Sequence, residues 1–140
     1  MIDLGIGYNQ AKKDSSIAPV PANMYSFVVE EITLGESQAG RPKMTWWLRI
    51  ENNPEFEGRR LPYNVSLPWV DPATGIHTTA GIGFLVDIIE AIGASWGEDG
   101  TLPDVETFYG MRGFMRVGQK PRKGEPETID NTIKFPKKGK

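Results

Sequence analysis

The sequence predicts an all-β domain carrying one helix. Five segments alternate apolar and polar residues at strand period, one segment repeats apolar residues at helical spacing, and Gly- and Pro-rich stretches separate them. At 140 residues the chain has the size of one domain, able to withdraw roughly two thirds of its unfolded surface from water without staples. The expected organisation is an N-terminal arm over residues 1–22, a folded domain over 23–136 and a short basic tail over 137–140.

The arm mixes Gly, Asn, Lys and Ser with Pro19 and Pro21 and has no sustained period. MYSFVVEEITL, residues 24–34, sets Tyr25, Phe27 and Val29 against Ser26, Val28 and Glu30, a first strand rich in aromatic and β-branched residues. GESQAGRP is a loop. KMTWWLRI, residues 43–50, is the second strand, with Met44, Trp46, Leu48 and Ile50 facing the core; Trp47 must then face the other way, unless a bulge before Trp46 exchanges the pair. ENNPEFEG supplies a turn, and RRLPYNVSL is the third strand, placing Leu61, Tyr63, Val65 and Leu67 inward, with Pro62 marking an edge or a bulge.

After the turn PWVDPATG the period changes. TTAGIGFLVDIIEAIG brings Leu85, Ile88, Ile89 and Ile92 onto one helical face, with Thr78 or Thr79 as cap, Gly93 as stop, and Gly81 and Gly83 loosening the first turn. A loose acidic connector over 94–110 leads to a fourth strand, MRGFMRV, with Met115 and Val117 opposed to Arg112, Phe114 and Arg116. ETIDNTIKF is the fifth, with Ile129, Asn131, Ile133 and Phe135 on one side. Three strands, a helix and two strands are the element order of a five-stranded OB-fold barrel, which binds oligonucleotides on its second and third strands and its first and fourth interstrand loops. A mixed α+β sheet or an SH3-like barrel with an inserted helix shares that order.

Several chemistries are excluded by the residues available. There is no cysteine, so no disulfide, zinc-thiolate site or cysteine nucleophile can be built. His77 is the single imidazole and sits in a predicted turn, which rules out histidine triads and histidine metal clusters. The acidic pairs Glu30/Glu31 and Glu98/Asp99 fail as magnesium sites, because neighbours in a strand face apart and the second pair lies in a loop. GIGFLV lacks both phosphate-loop spacings, and the sequon at Asn64 carries no weight in an unexported chain. No enzyme, cofactor or metal is expected. Without a membrane-length apolar run or a signal peptide, the expected location is the cytoplasm.

Charge is polarised along the chain. Residues 1–110 hold 7 Lys/Arg against 15 Asp/Glu, a net −8, and residues 111–140 hold 9 against 3, a net +6. Such asymmetry points to a polyanion, or to a solvated basic tail ending in Lys137, Lys138 and Lys140. The alternation that buries Trp46 puts Lys43, Trp47 and Arg49 on the open face of strand two, and strand four repeats the pattern as Arg112, Phe114 and Arg116. Non-specific single-strand binders use this combination: any base can stack on an aromatic ring while cations track the phosphates. Arg41 in the first loop, Arg59 and Arg60 at the start of strand three, and Lys120, Arg122 and Lys123 between strands four and five extend the candidate site. Trp69 and Trp96, in loops, are expected to cover the barrel ends instead.

Pro21 and Tyr25, then Ser37, Gly40, Pro42 and Met44, Gly58 and Arg59, Ile92 and Gly93, and Gly110 fall in an order that resembles the small phage-encoded single-stranded-DNA-binding proteins of OB type, many catalogued only as a domain of unknown function. The likeness spans about four fifths of the chain and is carried by turn glycines and core apolars, so it bears on fold more than on function. Tyr109 stands where that pattern prefers leucine or a basic residue, and the C-terminus is basic where cellular single-strand binders often end in an acidic recruiting tail. The resemblance implies a non-catalytic, sequence-independent coat for single-stranded DNA in phage replication or recombination, in the host bacterial cytoplasm. Replication or recombination proteins, or a second copy of the chain in a homo-oligomer, are expected as partners, with no membrane. Two other classes fit the same open face: a structural or adaptor protein that meets another protein there, and, less well, a nuclease accessory.

Overall fold

In a computed structural model, residues 1–9, 19–38 and 40–136 are described; the rest of the arm and the basic tail, with Lys137, Lys138 and Lys140, lie outside the described residues. The chain runs β1 (Asn23–Glu36), β2 (Pro42–Glu51), β3 (Arg60–Ser66), β4 (Trp69–Val70), β5 (His77–Thr78), α1 (Ile82–Ala91), a short 3₁₀ turn (Val105–Phe108), β6 (Arg112–Arg122) and β7 (Glu125–Lys134). Five strands form one antiparallel sheet in the order β3-β2-β1-β6-β7.

The period-2 alternation settles the two tryptophans. Met44, Trp46, Leu48 and Ile50 are buried, joined from β1 by Tyr25, Phe27 and Val29, from β3 by Leu61, Tyr63 and Val65, and from β6 by Met115 and Val117. Trp46 is fully buried, its ring 5.4 Å from that of Phe108, whereas Trp47 faces outward. Pro62 sits on an edge strand, where its missing N–H costs no ladder bond. A bulge falls in β1 rather than at Trp46: the ladder with β2 slips between Val29 and Glu31, so inward positions pass from the odd residues to Ile32.

The edge strands β3 and β7 share no hydrogen-bonded ladder among the described residues, so the sheet is open and not a closed barrel. Between the edges lies an aromatic plug. Phe135, just past β7, meets Tyr63 edge-on at 5.0 Å and Phe27 at 5.7 Å. The arm enters this region through Val20, whose N–H donates to Asn131 Oδ1 and whose carbonyl accepts from Asn131 Nδ2 and Gln119 Nε2.

Four expectations are corrected. PWVDPATG and the residues after it make a small hairpin, β4–β5, so Thr78 and His77 lie in a strand. Neither threonine caps α1, which begins after Gly81 in the left-handed region, φ 88°; its end is the expected one, with Gly93 N–H donating to Glu90 O and Ala94 N–H to Ile89 O around Gly93 at φ 74°. The connector is not loose: Phe108 is a core residue, Gly110 N–H donates to Val29 O, Val29 N–H to Met111 O, and the Tyr109 hydroxyl lies 3.1 Å from Ile32 N and 3.3 Å from its carbonyl. These contacts occupy the β1 backbone just where its pairing with β6 ends at Val28. Lastly, GQKPRKGEPE is not an open loop, since β6 and β7 continue to a two-residue turn at Lys123–Gly124, with Gly124 at φ 84°.

Candidate nucleic-acid interface

The register fixes which side chains share the outer face. Arg112, Val28, Arg49 and Arg60 form one row across β6, β1, β2 and β3. Ser26 lies between Phe114 and Glu51 in the next row, and Met24, Arg116 and Lys134 make a third. In the other direction stand Trp47 with Glu31 and Pro62, then Thr45 with Asn64, then Lys43 with Ser66. Both predicted stripes, Lys43/Trp47/Arg49 and Arg112/Phe114/Arg116, therefore do lie on one face.

The arginines over β1–β3 already have anions. Arg49 approaches Glu30 at 3.4 Å and Glu51 at 3.9 Å, Arg60 approaches Glu30 at 3.6 Å and Glu31 at 3.7 Å, and Arg112 Nε donates to Glu51 at 2.8 Å. Three guanidinium groups meet three carboxylates, so this lattice is neutral. The hydrogen bond and charge of Glu51 raise the pKa of Arg112 above its ordinary value. The Arg60 guanidinium also lies 4.8 Å from the Trp47 ring centroid and covers that ring. Trp47 thus faces the predicted side, but a cation of this chain already occupies its π-face.

Loop residues divide in the same way. Arg41 donates to the carbonyls of Leu67, at 3.0 Å, and Ala80, tying the β1–β2 connection to the ends of β3 and β5. Arg59 is part of the turn into β3, its N–H donating to Phe56 O. Arg122 is gripped by Asp130 at 2.7 and 3.0 Å and by Glu125 at 3.5 Å, which raises its pKa and, chiefly through the hydrogen bond, lowers that of Asp130. Lys120 faces Asp130 across the ladder and Lys123 occupies the turn; neither has an ion pair among the described residues.

Lys43 on β2 has no carboxylate partner among the described residues, and most of the remaining unneutralised positive charge outside the turn into β3 is gathered over β6 and β7. Arg116, Lys120, Lys123 and Lys134 have no carboxylate partner among the described residues, and Phe114, beside Arg116, is 60% exposed. Met24, Arg116, Gly118, Thr132 and Lys134 line a hollow of about 520 Å³ there. Lys134, Thr132 and Met24 are absent from the sequence-derived site. The sequence carries a signal for Lys134, because the alternation that turns Ile133 and Phe135 inward turns Lys134 outward; it carries none for the pairing of Glu30, Glu31 and Glu51 with arginines, which depends on strand register.

Trp96 packs against the core, as a cover for one end of the sheet would, while Trp69 belongs to the β4–β5 hairpin. A second, apolar hollow of about 640 Å³ lies between β1, β2, α1 and the connector, lined by Leu34, Met44, Leu67, Leu85, Trp96 and Leu102 among others. Among the described residues no group of three or more acidic or imidazole side chains is placed to hold a metal ion, and no helix is long and apolar enough to cross a membrane. No protein-family model matches this chain, and no curated protein matches it either.

Proposed function

We propose that this protein binds single-stranded DNA without sequence preference and without catalysis, in phage DNA replication or recombination in the host bacterial cytoplasm, on a partly open barrel of OB type. The observation that carries the reading is Phe114, an aromatic ring 60% exposed on an open sheet face, flanked along its strand by Arg112 and Arg116. Base stacking on an exposed ring of this kind is worth about 1–3 kcal/mol per base, and the two flanking arginines can track the phosphates. The OB reading draws support from β1 pairing with both β2 and β6, from the helix between the third and fourth long strands, and from the approach of the sheet edges through Tyr63 and Phe135.

The decisive experiment is a titration with labelled single- and double-stranded oligonucleotides across a salt series. Single strands are expected to bind in preference to duplex, with a log–log salt slope of roughly −3 for about four phosphate contacts. No detectable binding to oligo-dT at ~50 mM salt would refute the proposal. The charge balance of the Arg49/Arg60/Arg112 lattice favours a second reading, in which the β1–β3 part of the face meets a protein. A complex formed without oligonucleotide, and unaffected by it, is the outcome that would select this alternative.

A further inference from the structure

Two pairs of like charges stand directly opposite one another on the outer face, Arg49 with Arg60 and Arg116 with Lys134. Like charges in direct cross-strand register repel and destabilise a sheet. For the first pair the chain supplies a remedy: Glu30 reaches Arg49 at 3.4 Å and Arg60 at 3.6 Å, one carboxylate serving both. The second pair has no such anion among the described residues. Instead it borders the hollow of about 520 Å³, within the usual range of about 300–1,000 Å³ for small-molecule sites.

The hollow is kept open by its residues. Gly118 belongs to its lining, and a Cβ there would come within 2.7 Å of Thr132 Oγ1, so a side chain at 118 would have to displace that hydroxyl. Asn23 lines it too; its Oδ1 accepts from Met24 N–H, and its amide nitrogen has no partner among the described residues. Phe114 stands two residues from Arg116 on the same face, about 7 Å along the strand.

We infer that this hollow seats one backbone phosphate of the bound strand between Arg116 and Lys134, taking the place that Glu30 takes between Arg49 and Arg60, with the base of the same nucleotide on Phe114. The inference rests on the single-strand-binding reading and deepens it: the anchoring contact lies on β6 and β7, not on the second and third strands. A local repulsion left without internal compensation is what a site built for an external anion looks like. A phosphate diester offers the required charge and acceptor oxygens, and Arg can meet two of them at once.

Three chains test this: wild type, the double variant Arg116→Gln/Lys134→Gln, and Lys134→Glu. Binding of oligo-dT is measured from about 0.05 to 0.3 M salt, and melting with and without inorganic phosphate. The double variant should lose the one phosphate contact seated there, making the salt slope shallower by about 0.7 and the affinity at ~0.1 M lower by about 5-fold. Lys134→Glu supplies the missing anion internally, so its melting temperature should rise while its affinity falls. Phosphate should raise the melting temperature of wild type and not of either variant. A double variant with wild-type slope and affinity overturns the inference while leaving the parent reading standing, and so does phosphate stabilising all three chains equally. A wild-type chain that binds no oligo-dT overturns the parent reading instead, and the phosphate-dependent melting difference then decides the hollow as an anion site alone.

Discussion

Glu51 sits where the neutral lattice and the proposed DNA site compete, so Glu51→Gln is informative. Its carboxylate accepts from Arg112 Nε at 2.8 Å and from Nη2 at 3.4 Å, and lies 3.9 Å from Arg49. The carboxylate is 18% exposed but the Arg112 side chain is 69% exposed, so solvent screens the pair and its loss should barely change stability. The amide can still accept from Arg112, while the face changes from three charges against three to three cations against two carboxylates. If Arg112 then takes one more phosphate, the salt slope steepens by about 0.7, which multiplies affinity by roughly 5 at ~0.1 M salt and by roughly 3 at ~0.2 M. Fluorescence anisotropy of labelled oligo-dT across that range measures both slope and affinity. An unchanged or shallower slope, in a variant that melts within a few degrees of wild type, would mean that the carboxylates do not compete with phosphate.

Three further outcomes follow from the packing. Trp46→Ala should cost ~3–5 kcal/mol in denaturant unfolding because it empties a fully buried site against Phe108, whereas Trp47→Ala should leave the fold nearly intact and Phe114→Ala should lose more single-strand affinity than it does, since Arg60 covers the Trp47 ring; equal unfolding costs for the two tryptophans would contradict the register. Gly113→Ala should destabilise by ~1–3 kcal/mol, as its Cβ would stand 2.7 Å from Ala91 O and 3.0 Å from the Phe27 ring, and a neutral result in thermal melting would deny that close approach of helix and strand. Burial, then the charge of Asp87, raises the Tyr63 phenol pKa above its ordinary 10.0, and its hydroxyl donates to Phe84 O at 2.7 Å; the neutral form therefore favours the fold, with its contribution complete below pH 10 and lost as pH rises above it. Tyr63→Phe should flatten the stability decline above pH 10 and leave only the smaller share of Tyr25, and an alkaline limb as steep as in wild type would refute the assignment.

Several of these features follow from residue period and local chemistry. Alternation placed Trp46 inside and Trp47 outside unless a bulge intervened, and turned Phe114 and Arg116 outward, while the missing N–H confined Pro62 to an edge or a bulge, because strand side chains alternate strictly and proline cannot donate to a ladder. Gly93 ended the helix because a left-handed residue closes the last turn without strain. Tertiary structure alone decided the rest. The bulge between Val29 and Glu31 leaves no mark in the strand's composition, yet it brings Glu30 and Glu31 together onto Arg60. Phe108 read as part of a loose connector because its partner, Trp46, is far away in sequence. The cations of the candidate site were countable from the start. Which of them were already spent on carboxylates depended on cross-strand neighbours from β1, β2 and β3, and charge on a sheet is set by the register of strands distant in the chain. That pairing neutralises Arg49, Arg60 and Arg112 and leaves Arg116 and Lys134 facing each other without an internal anion among the described residues.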